Sequence, residues 1–141
     1  MSTRVVDVNS IKVGSYVVID NEPCKVVSVE HSKGGKHGHA KARIVAIGLF
    51  TNSKRSIVLP TSEKIEIPII EKANCQILSK EGEHYLVMDL TTYEQFAAEG
   101  PEDENIKAKL DEALERGEVP EGEVWKVMGK AMIVKLSRST E

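Results

Sequence analysis

Cysteine is scarce in this chain, and aromatic residues are few. Among 141 residues only Cys24 and Cys75 are cysteines, and Phe, Trp and Tyr together make up 4%. Two cysteines far apart, each in an apolar strand-like context, suit small buried side chains in a reducing compartment; a disulfide framework of this length would carry more. Long hydrophobic runs are also absent: no stretch reaches the roughly 18 apolar residues that suggest a membrane-spanning helix. The opening residues, Met1 to Asp7, lack the apolar core of a signal peptide, so the expected compartment is the cytoplasm, with no membrane partner. What is present is the composition of a soluble folded protein, 40% apolar and 29% charged, in a chain long enough for one domain or two small ones.

The net charge of −3 conceals a split. Residues 1–71 carry ten Lys+Arg against seven Asp+Glu, net +3, whereas residues 72–141 carry nine against fifteen, net −6. A polyanionic partner would therefore meet the first half, because attraction to phosphate requires clustered positive charge.

Short β-branched runs punctuated by turn residues fill that first half. Ser15 to Ile19 and Cys24 to Glu30 flank Asp20-Asn21 as a hairpin, and Lys41 to Phe50 alternates with Ile44 and Ala46 on one face and Arg43, Val45 and Ile47 on the other. Ile57 to Leu59 and Lys64 to Ile70 follow, with Pro68 marking an edge or a strand end. Five or six such strands are the content of a small SH3-like barrel over 1–71. After a break near Ile70 to Ala73 the pattern restarts. Asn74 to Ser79 and His84 to Asp89 read as a hairpin around Glu81-Gly82, and Tyr93 to Phe96 as a short strand. Ile106, Leu110 and Leu114 mark one amphipathic helix, closed by Arg116 and Gly117. Val124 to Leu136 reads as one long final strand with a bulge at Gly129. Strands with one inserted helix over 72–141 imply an OB-fold barrel, making the fold class all-β with one short helix.

Between Glu30 and Lys41 lies His31-Ser32-Lys33-Gly34-Gly35-Lys36-His37-Gly38-His39-Ala40, which has no apolar periodicity. It is expected to be the exposed tip of a long hairpin, with three glycines and no apolar side chain to hold it in one conformation. Lys36 stands among Gly34, Gly35 and Gly38, with Lys33, Lys41 and Arg43 adding positive charge. Such a lysine can contact phosphate, serve as the substrate of a modifying enzyme, or simply be solvated. A phosphate-binding P-loop does not fit, because Glu30 stands where its first Gly is required and His37 where it needs Ser or Thr. His31, His37 and His39 invite a metal, but the tip offers no Cys, Asp or Glu to complete four ligands, so no metal is expected. His37 and His39 read better as polar donors beside Lys36 that can gain charge near neutral pH. No Ser-His-Asp or Cys-His arrangement is evident, and no catalytic residue is expected. Cys24 reads as a structural thiol, and Glu102, Asp103 and Glu104 as the acidic start of a helix. Tyr85, Tyr93, Phe96 and Trp125 could stack on bases, although the acidity of the second half favours core packing for most of them.

The run from Ser32 to Lys41, centred on Gly35-Lys36-His37-Gly38, resembles the hypusination loop of the translation factor 5A family. Val13-Gly14-Ser15-Tyr16, Pro23-Cys24-Lys25-Val26 and the stretch from Lys41-Ala42-Arg43 to Phe50-Thr51 are similar to that family in the same order. The eukaryotic members carry an N-terminal tail absent here, so the resemblance is to the archaeal type. It implies an SH3-like barrel followed by an OB barrel. It also implies that deoxyhypusine synthase transfers an aminobutyl group from spermidine to Lys36, giving deoxyhypusine, or hypusine once hydroxylated. No cofactor and no small-molecule substrate are implied. The implied partners are the ribosome and the acceptor end of peptidyl-tRNA, and the implied activity is assistance of peptide bond formation at stalling sequences such as proline runs. Two other readings of the residues stay open: an RNA-binding module with an unmodified basic hairpin, and a His-rich metal protein.

Overall fold

The computed structural model describes residues 3–33 and 40–137. The chain divides into two compact units, Met1–Ile69 and Ile70–Glu141. Among the described residues no helix is long and apolar enough to cross a membrane.

In the first unit β1 (Thr3–Asp7) leads through a 3₁₀ turn, Val8–Ser10, to β2 (Tyr16–Ile19), β3 (Glu22–Ser32), β4 (Lys41–Gly48), β5 (Lys54–Pro60) and β6 (Lys64–Pro68). Strands β2 to β5 form an antiparallel sheet in chain order, and β1 pairs with β6 from Thr3↔Pro68 to Asp7↔Lys64. The turn between β2 and β3 is the one expected at Asp20-Asn21: both residues have positive φ, 53° and 62°, the two-residue geometry whose twist matches that of the flanking strands. A bulge between Val26 and Ser28 adds one residue to β3, so that Val26 and Val29, three apart, both face inward. The core they join contains Val8, Ile11, Val17, Ile19, Cys24, Ala42, Ile44, Ala46 and Ile65. Pro68 ends β6, as a residue without a backbone donor should.

The second unit contains β7 (Ile70–Glu81), β8 (His84–Asp89), β9 (Gln95–Glu99), α1 (Glu104–Glu115), β10 (Glu121–Val127) and β11 (Lys130–Leu136). The strands close in the order β7-β8-β9-β11-β10, with β10 returning to β7; β9 and β11 run parallel and every other neighbour is antiparallel. With its helix between β9 and β10 this is an OB-fold barrel, and the chain is an SH3-like barrel followed by that barrel. The core is Cys75, Ile77, Tyr85, Val87, Ala98, Leu110, Val124, Ala131 and Ile133, with Leu114 packed against it. Helix α1 buries Leu110 and Ala113 from its apolar stripe. Within the acidic run, Asp103 is its N-cap: one carboxylate oxygen accepts from the backbone N–H groups of Asn105 and Ile106 at 2.8 and 3.2 Å. Replacing Asp103 with Ala is therefore expected to cost about 1 kcal/mol, read as a lower thermal midpoint, whereas Glu102→Ala should change little.

Three expectations are revised. The stretch from Val124 to Leu136 is two strands rather than one, because Met128 and Gly129, at φ 50° and 81°, make a two-residue turn that pairs Val127 with Lys130. The bulge lies instead between Glu123 and Val124. Tyr93 is no strand residue: at φ 63° it closes a turn in which the Asp89 carboxylate accepts from the N–H groups of Thr91 and Thr92, and β9 begins at Gln95. The boundary expected after residue 71 stands between Ile69 and Ile70, because Ile70 and Glu71 pair with Val127 and Lys126 inside the second barrel.

Candidate functional site

The hairpin of β3 and β4 carries the sequence that singled itself out. Its strands stay paired up to Ser32↔Lys41, so His31 and Ser32, read from sequence as part of the tip, belong to the ladder. Gly34, Gly35, Lys36, His37, Gly38 and His39 lie outside the described residues. The described approach to them is well braced. Thr61, just past β5, donates its backbone N–H to the carbonyl oxygen of Ala40 at 3.0 Å, fixing the chain where it enters β4. Ala42 and Ile44 face the core from β4, and Val29 supports them from β3. Lys33, Lys41 and Arg43 are exposed, and among the described residues none is held in an ion pair. The arrangement is a stiff two-strand arm rooted in a core, with uncompensated cations around its end.

The far end of the same strands is pinned by a buried carboxylate. Glu22 accepts from the Thr51 hydroxyl at 2.6 Å, the Thr51 N–H at 3.2 Å and Arg55 Nε at 2.8 Å, and Arg55 also reaches Asp20 at 3.2 Å. Burial pushes the Glu22 carboxyl up, but the Thr51 hydroxyl and the Arg55 guanidinium outweigh it and leave it below its ordinary range. A carboxyl lowered in this way stabilises the fold above its unfolded value of about 4.3, and the contribution is lost as pH falls through the lower folded value. The thermal midpoint of wild type should therefore exceed that of Glu22→Gln at neutral pH, and the gap should narrow below about pH 4. A gap unchanged from neutral to acid would contradict the pairing. Gly48 belongs to this cluster, since a Cβ there would collide with the Glu22 carboxylate and, at 2.6 Å, with the Thr51 hydroxyl.

The remaining candidates resolve individually. Cys24 and Cys75 are buried free thiols; burial and the Glu22 charge push Cys24 up, and burial with Asp89 pushes Cys75 up to about 11, so both are poor nucleophiles. Tyr85 is a core residue whose hydroxyl donates to Asp111 Oδ1 of α1 at 2.5 Å, and burial pushes its pKa upward. Phe96 packs on the core beneath Lys126, and Trp125 is half-buried under Lys72 with its Nε1 donating to Glu123 at 2.8 Å. Tyr93 alone among these rings is largely exposed, at 70%. His31 is exposed opposite Ala42. Among the described residues no group of three or more His, Cys, Asp or Glu is placed to hold a metal. The Glu22 cluster was not anticipated: Glu22, Thr51 and Arg55 are spread along the chain, and only the strand register brings them together.

Comparison with known proteins sets this arm in context. Residues 1–63 match the family model "Translation initiation factor 5A-like, N-terminal". The chain is 50% identical over 136 residues to translation initiation factor 5A of Thermofilum pendens, an alignment covering 96% of this chain and 98% of the relative. It is 46% identical over 136 residues to the protein of the same name from Sulfolobus acidocaldarius, covering 96% and 99%. Among solved structures, eukaryotic translation initiation factor 5A from Methanococcus jannaschii superposes with a TM-score of 0.81 at 41% identity, covering 96% of each chain. A translation initiation factor eIF-5A family protein from Naegleria fowleri superposes at 0.79 with 32% identity, covering 97% of this chain and 99% of that one. Likeness of this extent, through both barrels and in sequence as well as shape, means that the chain belongs to the translation initiation factor 5A family and that its role is that of a translation factor.

Proposed function

We propose that the chain works through a deoxyhypusine or hypusine side chain at Lys36, presented beside peptidyl-tRNA on the ribosome to promote peptide bond formation at stalling sequences such as proline runs. The observation that carries this reading is the Gly34-Gly35-Lys36-His37-Gly38 motif joined to the end of the braced β3/β4 arm, with exposed Lys33, Lys41 and Arg43 at its base. The factor is the substrate of deoxyhypusine synthase and not itself an enzyme. In the transfer, Nζ of Lys36 forms a bond to the butyl carbon of spermidine, the bond from that carbon to spermidine's secondary nitrogen breaks, and the departing diamine takes the lysine proton.

The physical effect of the modification is reach and a second amine. The lengthened cation touches the acceptor end of the tRNA and holds it near attack geometry, where orientation can contribute several kcal/mol to a reaction between two bound groups. Proline is a rigid, poor reactant, so this help matters most there. The ribosome performs the chemistry, and the factor supplies position and charge. Its setting is the cytoplasm, and neither a cofactor nor a metal takes part. In sequence Gly34, Gly35, Gly38, His37 and His39 surround the lysine, and the histidines are polar donors that can gain charge near neutral pH.

The test is mass spectrometry of the Lys36 peptide from chain co-expressed with deoxyhypusine synthase and spermidine. Addition of one aminobutyl unit at Lys36 is the expected result. An unmodified Lys36, or addition at Lys33 or Lys41 instead, would overturn the assignment.

A further inference from the structure

Helix α1 meets the end of β7 at a cleft that neither the second core nor the Lys36 hairpin uses. Strand β7 runs beside β10 only as far as Gln76, after which the Ile77 N–H donates to the carbonyl oxygen of Pro120 at 2.8 Å and the two part. On its other side a bulge between Ile77 and Ser79 leaves Leu78 opposite no residue of β8. Bulges re-aim side chains: Ile77 stays in the core, while Leu78, half-buried, lines the cleft. Asp111, Leu114 and Glu115 of α1 form the other wall. The helix is tied there by Asp111, which accepts from the Tyr85 hydroxyl at 2.5 Å and pairs with Lys80 at 3.3 Å. Completed by Ser79, the cleft has a volume of about 350 Å³. Its apolar lining is Leu78 and Leu114, and Val119, 51% exposed, adds an apolar side chain one residue before the Pro120 that β7 holds. Its charge is negative. Asp111 and Lys80 offset each other, whereas Glu115 is exposed and in no ion pair among the described residues. Glu81, which accepts from the Ser79 hydroxyl at 3.4 Å, is likewise exposed and in no such pair.

We propose that this cleft docks a basic segment of a partner protein, one apolar side chain entering between Leu78 and Leu114 while flanking arginines meet Glu115 and Glu81. The chemistry selects that occupant. Phosphate is repelled by the two unpaired carboxylates, so neither a nucleic acid nor an anionic lipid surface fits. A free small amine would satisfy the carboxylates but leave Leu78, Leu114 and Val119 in water, forgoing the apolar burial that drives association. Arginine serves both needs, because its stem lies on apolar surface while its fork takes a carboxylate in two hydrogen bonds. The surroundings act in the same direction: residues 72–141 carry net −6 and draw a basic segment toward the cleft. At about 350 Å³ the cleft is at the small end of ligand sites and suits one large apolar side chain rather than a whole helix face. Such a contact is weak and reversible. It goes beyond the function proposed for Lys36, which belongs to the other unit.

The test is titration of the full chain with short labelled peptides in which Leu, Phe or Ser is flanked by arginines, read by fluorescence anisotropy and by amide chemical shifts. The Leu and Phe peptides are expected to bind saturably and to shift Leu78, Ser79, Asp111 and Leu114, and the Ser peptide to bind much more weakly. Glu115→Lys should weaken the Leu peptide roughly tenfold, since a like charge then faces its arginines. A peptide with glutamates in place of the arginines should regain the loss in that variant. Glu71→Lys, exposed at the opposite end of β7, alters the net charge equally and should leave the affinity almost unchanged. Leu78→Ser should abolish the preference for Leu over Ser; if that variant does not fold, the exchange at exposed Glu115 still decides. No saturable binding by wild type, equal binding of the Leu and Ser peptides, or equal losses in Glu115→Lys and Glu71→Lys would each overturn the proposal. Self-association of wild type that Glu115→Lys abolishes would assign the cleft to a second copy and overturn it as well. Lys36→Ala should leave peptide binding unchanged, so the cleft and the modified lysine stand or fall separately.

Discussion

Replacing Lys36 with Arg is expected to leave the fold intact and to slow synthesis through proline runs about tenfold or more, while ordinary sequences are made at close to the normal rate. Tenfold corresponds to only about 1.4 kcal/mol of lost positioning, a small part of what good orientation can supply. Arginine keeps the positive charge, so attraction of the basic first half to the ribosome should largely persist. It cannot accept the aminobutyl group, so the extended reach is lost. The measurement is peptide yield over time in a reconstituted translation system, using proline-run and control messages, with ribosome binding followed by co-sedimentation. An Arg variant that supports proline-run synthesis as well as modified wild type would replace the modified-lysine mechanism with that of a plain basic loop.

The largest expected change in stability is at Ile44. This side chain is fully buried on the inner face of β4, next to Ala42 and Ala46 in sequence alternation and paired across to Val29 and Ile57. Truncating it to Ala removes three methyl or methylene groups and leaves a cavity between strands that cannot collapse without breaking the ladder. A loss of about 2–5 kcal/mol is expected. Val58→Ala, on the outer face of the neighbouring strand and 56% exposed, should change stability by less than about 0.5 kcal/mol. Urea unfolding followed by circular dichroism reads both. Equal losses in the two variants would mean that the inner and outer faces of this sheet are assigned the wrong way round.

Much of this architecture was legible in the sequence, and the reasons are local. Alternation along Lys41 to Phe50 assigned Ile44 and Ala46 to one face because strand side chains have a period of two; the strand ends at Gly48, and Val45, assigned to the other face, is buried as well. Asp20-Asn21 marked a hairpin because those residues accept the left-handed conformation that the turn needs. The run Glu102-Asp103-Glu104 marked the start of a helix because acidic residues suit that end of its dipole, and the structure singles out Asp103 as the cap. The failures occurred where two local readings compete. Gly129 inside an apolar run fits either a bulge or a turn, and only the pairing of β10 with β7 on one side and β11 on the other decides between them. Tyr93 has strand propensity, yet the Asp89 carboxylate offers its backbone neighbours a better arrangement in a turn. At the candidate site, the motif around Lys36 and the charge beside it could be read directly from the residues. The cluster of Glu22, Thr51 and Arg55 could not, because it is a product of register between strands distant in sequence.

The pairing of β1 with β6 and of β7 with β10 has a consequence for how the molecule is made. Each unit's first strand waits for a partner near that unit's end: Thr3 for Pro68, and Ile70 for Val127. During synthesis at about 5–20 residues per second, β7 is exposed for several seconds with one edge unfilled before β10 emerges from the ribosome. Neither unit can close progressively as it is made, and each must form in one late, long-range step that brings distant segments together at an entropic cost. The chain is consequently most vulnerable to proteolysis and to pairing with another chain just before each closing strand appears.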